Sequence, residues 1–205
     1  MAGTESSLRD NQRRRTRKDL LQAAARLMQD GRMPTLDQVA EAALVSRATA
    51  YRYFPNIESL LVEAPIEVAM PDAEAFFRDD ATADPAQRMQ RVDDAVEAVV
   101  IANETALRML LMNSIQLRLK HPEQGPPNRQ NRRAPLIAAA LKPSEDRFEP
   151  ETFDLLSKAL ALVIGPEAMV TFKDVLRIDD AEARRVRRWM INALIQAALR
   201  PSPSG

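Results

Sequence analysis

The sequence predicts an all-α fold, and three observations carry that reading. Apolar residues recur at three- and four-residue spacing in segment after segment. No run alternates apolar and polar residues in the way a half-buried strand would. Glycine is scarce at 5 residues, whereas 14 prolines sit where helices would start and stop. With 205 residues, 45% of them hydrophobic and 28% charged, the chain can bury a substantial core.

Residues 1–11 read as a disordered tail, and 12–55 as a small three-helix unit. Leu20, Ala24, Leu27 and Met28 share one helical stripe. Gly31 is placed to stop that helix, because glycine takes the left-handed position after a helix without steric cost. Thr35 then offers a hydroxyl as N-cap, and Asp37 puts a carboxylate in the first turn, where the helix dipole favours it. Val39, Ala40 and Ala43 form the inner face of this second helix. Ser46 caps a third helix from Arg47 to Phe54, which Pro55 ends. Two helices joined by about four residues, the second carrying Arg, Thr and Tyr, make a helix-turn-helix (HTH).

The helices LLQAAARLM and TLDQVAEAALVS, then RATAYRYF followed by NIESLL, resemble the DNA-binding head of the tetracycline-repressor (TetR) family of bacterial transcriptional regulators. The resemblance covers about a quarter of the chain. Leu44 stands where the turn of such motifs carries glycine, and Ile57 where the family carries lysine after the recognition helix.

The remainder, 56–200, reads as a larger helical bundle, followed by a disordered tail over 201–205. Asn56 caps a fourth helix whose apolar run (Leu60, Leu61, Ala64, Val68) is interrupted by Pro65. Asp84 and Pro85 open a helix to about 102. Further helices are expected over 103–120, 134–141, 151–164, 166–176 and 180–199, with a polar loop over 121–132. The 103–120 helix is apolar nearly all round, which suits the middle of a bundle. Arg108, Asn113 and Gln116 are its polar exceptions. They read either as orienting groups of a ligand pocket, with Phe76, Phe77, Met109 and Met112 as its wall, or as ordinary core and satisfied polar residues. Phe153, Leu156, Leu160 and Val163, with Val186, Trp189, Met190, Ala193 and Leu194, give two late helices wide apolar faces. The family resemblance implies a homodimer with these two helices in contact; the alternative is burial within one chain.

Zero net charge hides an asymmetry. Residues 1–55 hold 10 Lys and Arg against 6 Asp and Glu, and the rest hold 19 against 23. A basic head on an acidic body steers one end toward nucleic acid. Cysteine is absent, which excludes disulfides and thiolate metal sites. No stretch approaches a membrane span or a secretory leader, so a cytoplasmic protein is expected. The single histidine, His121, and the lack of a phosphate loop or nucleophile motif speak against an enzyme. No cofactor or metal is expected.

The third helix is expected in a major groove. Arg47 would reach guanine and Ala48 a thymine methyl. The resemblance implies phosphate or mixed contacts for Thr49, Tyr51 and Tyr53, and Arg52 could reach either. Thr35, at a helix start, suits a phosphate. Arg13, Arg14, Arg15, Arg17 and Lys18 form a leader that follows the backbone or enters a minor groove, unless it is only a solvated charge run. Two functions remain: a homodimeric repressor on a pseudo-palindromic duplex DNA operator, released by a small apolar effector, or a DNA-binding or architectural protein without an effector.

Overall fold

Caps and prolines decide where the helices begin. The computed structural model describes residues 2–29, 33–120 and 130–199, with side chains from residue 12 onward. Gly31, His121, most of the 121–132 loop and the 201–205 tail lie outside the described residues. The helices are α1 (Ala2–Gln29), α2 (Leu36–Ala42), α3 (Arg47–Tyr53), α4 (Ile57–Ala69), α5 (Ala73–Phe77), α6 (Pro85–Ala102), α7 (Glu104–Lys120), α8 (Ala134–Leu141), α9 (Pro150–Val163), α10 (Pro166–Val170) and α11 (Asp180–Ala198). A 3-10 turn (Lys142–Arg147) follows α8, and a π-turn (Thr171–Leu176) follows α10. There is no strand among the described residues.

The backbone is helical from Ala2, where the sequence alone reads a disordered tail. No proline interrupts the segment from there into α1, so helix propagation meets no barrier. The short α5 and the 3-10 turn also escape the sequence reading, because elements of one or two turns show no period.

The chain divides into two compact units, residues 1–69 with 108–130, and residues 70–107 with 131–205. In the first unit α1 packs on α2 and α4, and α2 on α3. Its core joins Leu20, Leu21, Ala24, Leu36, Val39, Ala40, Ala50, Phe54, Leu60 and Ala64, with Leu27, Met28, Ala43, Val45 and Ile57 at its edge. Helix α4 continues through Pro65, which is exposed. It buries Glu63 and Ile66, while Val68 faces solvent. Pro65 removes one backbone donor, and its exposed ring leaves the buried side of the helix intact.

In the second unit α6 packs against α8 and α11, and α9 against α8 and α11. Arginine side chains tie it together. Arg88 donates to the carbonyls of Ala140 (2.9 Å), Ala139 (3.0 Å) and Thr82 (3.1 Å), and its guanidinium lies 3.9 Å from the Phe77 ring centroid. Arg133 donates to the Ile164 carbonyl at 2.9 Å and to Glu167 at 2.8 Å. Gly165 sits at φ 119°, a conformation that side chains rarely adopt, and a Cβ there would also displace the end of the Arg133 side chain, 1.8 Å from its Nη1.

Helix α7 departs from expectation. Leu107 is its one buried residue, and Met109, Met112, Ile115, Leu117 and Leu119 are exposed. Its apolar residues are spread around the whole circumference, and a helix buries only the sides that neighbours cover.

Candidate nucleic-acid interface

The surface that could meet DNA is built on two short capped helices. Thr35 and Gln38 form a capping box at the start of α2: the Gln38 amide donates to Thr35 Oγ1 at 3.3 Å and the Thr35 amide to Gln38 Oε1 at 2.8 Å. Helix α2 ends at Ala43, and Leu44 then takes the left-handed conformation with φ 55°. The chain accepts this strain because Leu44 is 94% exposed and its side chain meets nothing. Leu44 and Val45 amides donate back to the carbonyls of Glu41 and Ala40, both at 3.0 Å, which closes the turn.

Ser46 caps α3: its Oγ accepts from the Thr49 amide at 3.1 Å and lies 2.9 Å from Thr49 Oγ1. Ala50 is the buried residue of α3, and Phe54, at its C-cap, is buried too. Between these anchors Arg47, Ala48, Tyr51 and Arg52 all point outward and are exposed. A seven-residue helix pinned by a small alanine on one side can offer its other side to a groove. Arg47 is drawn to Asp37 of α2, with Nη1 3.3 Å from Oδ2. Tyr53 is half-buried against the core, and the Arg52 guanidinium sits 5.5 Å from its ring centroid. Thr35 is exposed, with its hydroxyl engaged in the cap.

The basic leader is part of α1. Arg13, Arg14, Arg15 and Lys18 are exposed, whereas Arg17 turns inward. Arg17 Nη2 pairs with the buried Glu63 carboxylate, and Nη1 donates to the Tyr53 carbonyl at 3.2 Å. Arg17 was expected among the DNA-facing cations, and the sequence offered no signal to separate it from its neighbours, because its partner lies 46 residues away. The leader is helical, and a helix backbone does not fit within a minor groove about 6 Å wide, so only its side chains can enter one. Its exposed cations remain able to follow a backbone.

The residues expected to wall a ligand pocket are divided between the two units, Phe76 and Phe77 in the second and Arg108, Met109, Met112, Asn113 and Gln116 in the first. Phe76 and Phe77 stack edge to face at 4.9 Å on α5, with Arg91 and Arg88 over their rings. Of the α7 residues, Arg108 and Asn113 are half-buried, and Met109, Met112 and Gln116 are exposed. The second unit instead has a recess between α6, the α10 and π-turn segment, and α11. Val100, Ile101, Met169 and Phe172 give it an apolar side, and Asp93, Glu97, Lys173, Asp180 and Arg187 a charged one. These charges are mutually engaged. Arg187 Nε donates to Asp93 at 2.8 Å and Nη2 pairs with Glu97, Arg184 Nε donates to Glu97 at 2.7 Å, and Lys173 donates to Glu104 at 2.7 Å. Burial raises the Asp93 carboxyl to about 6, against the opposing pull of Arg187.

The late helices are arranged otherwise than expected. Leu156, Leu160 and Val163 are buried within the chain, with Ile191 and Ile195 of α11, and Phe153 is half-buried near Phe148. Val186, Met190 and Leu194 are half-buried, and Ala193 is exposed. The large apolar residues left in solvent are Leu155 and Leu162 on α9 and Trp189 on α11, at 65%, 72% and 70% exposure. Helix α9 is apolar on two faces, so periodicity alone cannot choose the inner one. No single helix among the described residues is long and apolar enough to cross a membrane.

Residues 20–64, which span the core of α1 through most of α4, match the family model of bacterial regulatory proteins, tetR family. No curated protein and no solved structure matches the chain.

Proposed function

We propose, from the match of residues 20–64 to the family model of bacterial regulatory proteins, tetR family, that the chain acts in the cytoplasm as a homodimer on a pseudo-palindromic DNA operator. The observation that carries this reading is α3, which buries Ala50 and turns Arg47, Ala48, Tyr51 and Arg52 outward. Arg47 reads guanine, Ala48 packs on a thymine methyl, and Thr49, Tyr51 and Arg52 meet sugar and phosphate. Arg13, Arg14, Arg15 and Lys18 add backbone contacts. The exposed Leu155, Leu162 and Trp189 support a second copy against α9 and α11, since large apolar side chains in water favour such a contact. Two heads then meet half-sites one DNA turn, about 34 Å, apart.

Release of a repressor by a small molecule is the reading that the recess of the second unit supports. Its charged wall suits an amphipathic effector rather than a purely apolar one. The mutual pairing of those charges favours the second reading, in which the body serves dimerisation and no effector exists.

Selection from a random-sequence duplex pool tests the core of the proposal. The purified chain is expected to enrich an inverted repeat and to protect it from nuclease. Enrichment of a single unrepeated half-site overturns the dimer, and no enrichment overturns sequence-specific binding.

A further inference from the structure

Three elements of the first unit meet at one guanidinium. Arg17 leaves α1 and is almost covered, its side chain 13% exposed. It pairs with Glu63 in the middle of α4, whose side chain is 6% exposed. It donates to the carbonyl of Tyr53, the last residue of α3, at 3.2 Å. Its guanidinium carbon lies 4.2 Å from the centroid of the Phe54 ring, which is itself buried.

The last carbonyls of a helix have no partner within it and favour a cation nearby. Arg17 supplies both at the end of α3. Its planar fork can serve a carboxylate and a carbonyl while its face lies on an aromatic ring, which a lysine ammonium cannot reproduce. Buried Phe54 at the C-cap and Tyr53 against the core give that end its apolar anchor, and Arg17 adds the polar tie to the last carbonyl. Arg17 thereby helps set the pose of the exposed face, and Glu63 fixes the guanidinium to α4.

We propose that Arg17 is a positioning residue for DNA recognition and touches no DNA: with Glu63 it locks the C-terminal end of α3 to α4. This rests on the reading of α3 as the DNA-reading helix. The pair forms one unit, and losing either partner leaves the other charge buried and the Tyr53 carbonyl loosely held.

The test compares Arg17→Lys, Glu63→Gln and the double variant in the full chain, on the duplex that the wild type enriches from random DNA and on a scrambled duplex. Each single variant is expected to lower affinity for the enriched duplex about tenfold, with little change on the scrambled one and an unchanged salt slope. The double variant is expected to lose no more than the weaker-binding single. Amide hydrogen exchange at Tyr53 and Phe54 should accelerate in both singles while the α1 core stays protected, which separates local release from unfolding. A phosphate contact predicts the reverse: Arg17→Lys near wild type, Glu63→Gln unchanged, and a salt slope reduced by about 0.9 in an alanine variant. That pattern, or wild-type exchange in Glu63→Gln, overturns the proposal. A wild type that enriches no sequence overturns the DNA-reading role of α3 instead, and the exchange experiment still reports on the lock.

Discussion

Arg47 and Asp37 meet across the helix-turn-helix, with Arg47 Nη1 3.3 Å from Asp37 Oδ2 although 76% of the arginine side chain is open to solvent. An exposed pair of this kind contributes about 0–1 kcal/mol. The guanidinium is thus held near the start of α3 and can leave at small cost when a base edge competes for it.

Arg47→Ala is expected to cost about 1–3 kcal/mol on the enriched duplex and to relax preference at one base pair per half-site. Titrations on matched and single-substituted duplexes check this. An equal loss on every sequence would make Arg47 a phosphate contact.

Leu44→Gly is expected to stabilise the first unit. A non-glycine residue at φ 55° bears about 1–2 kcal/mol of strain, and glycine returns about 0.5–1 kcal/mol through its freer unfolded chain. No packing is lost, because Leu44 is 94% exposed. The net gain should be about 0.5–1 kcal/mol, read in thermal or denaturant unfolding at fixed protein concentration. A destabilised variant would mean that Leu44 packs against something in solution.

Asp93 should impose a pH dependence of known sign. Its folded carboxyl is raised to about 6 from 3.8, so between those values the folded state holds the proton more tightly than the unfolded one. The contribution is therefore fully present below about pH 4 and is lost as pH rises to about 6. Asp93→Asn removes it. The slope of stability against pH over that window should become more positive than in the wild type by up to about 1 kcal/mol per unit. Parallel curves for the two proteins would place Asp93 in a more solvated setting. The groups that face it are Arg187 and Glu97, with Asp94 close by.

Replacing Leu155 and Trp189 together by glutamate should give a monomer in sedimentation or light scattering, with weaker operator binding and little loss of intrachain packing. Leu156→Ala, by contrast, opens a cavity inside the chain and should cost about 2–5 kcal/mol whatever the assembly state. An assembly that survives both glutamates rules out these faces as the contact.

Local chemistry made much of this protein readable from its residues alone. Thr35, Ser46, Asn56 and Asp84 cap the helices they were expected to cap, because a side chain reaching an amide two or three residues on needs no tertiary partner. Proline at the first turn fixes α6 and α9 for the same reason. The HTH was legible because its spacing, cap and small Ala40 and Ala50 lie within one short segment. Whether a face is buried is another matter. Leu155 and Leu156, or Leu162 and Val163, are adjacent apolar residues on α9, and only the helices that pack beside it decide which of each pair goes inside. Buried charges are the extreme case. Arg17 looks like Arg13 to Arg15 until Glu63 arrives from 46 residues away, and Arg187 looks solvated until Asp93 meets it across 94. A charge is stable in the interior only through its partner, and the partner is chosen by the fold.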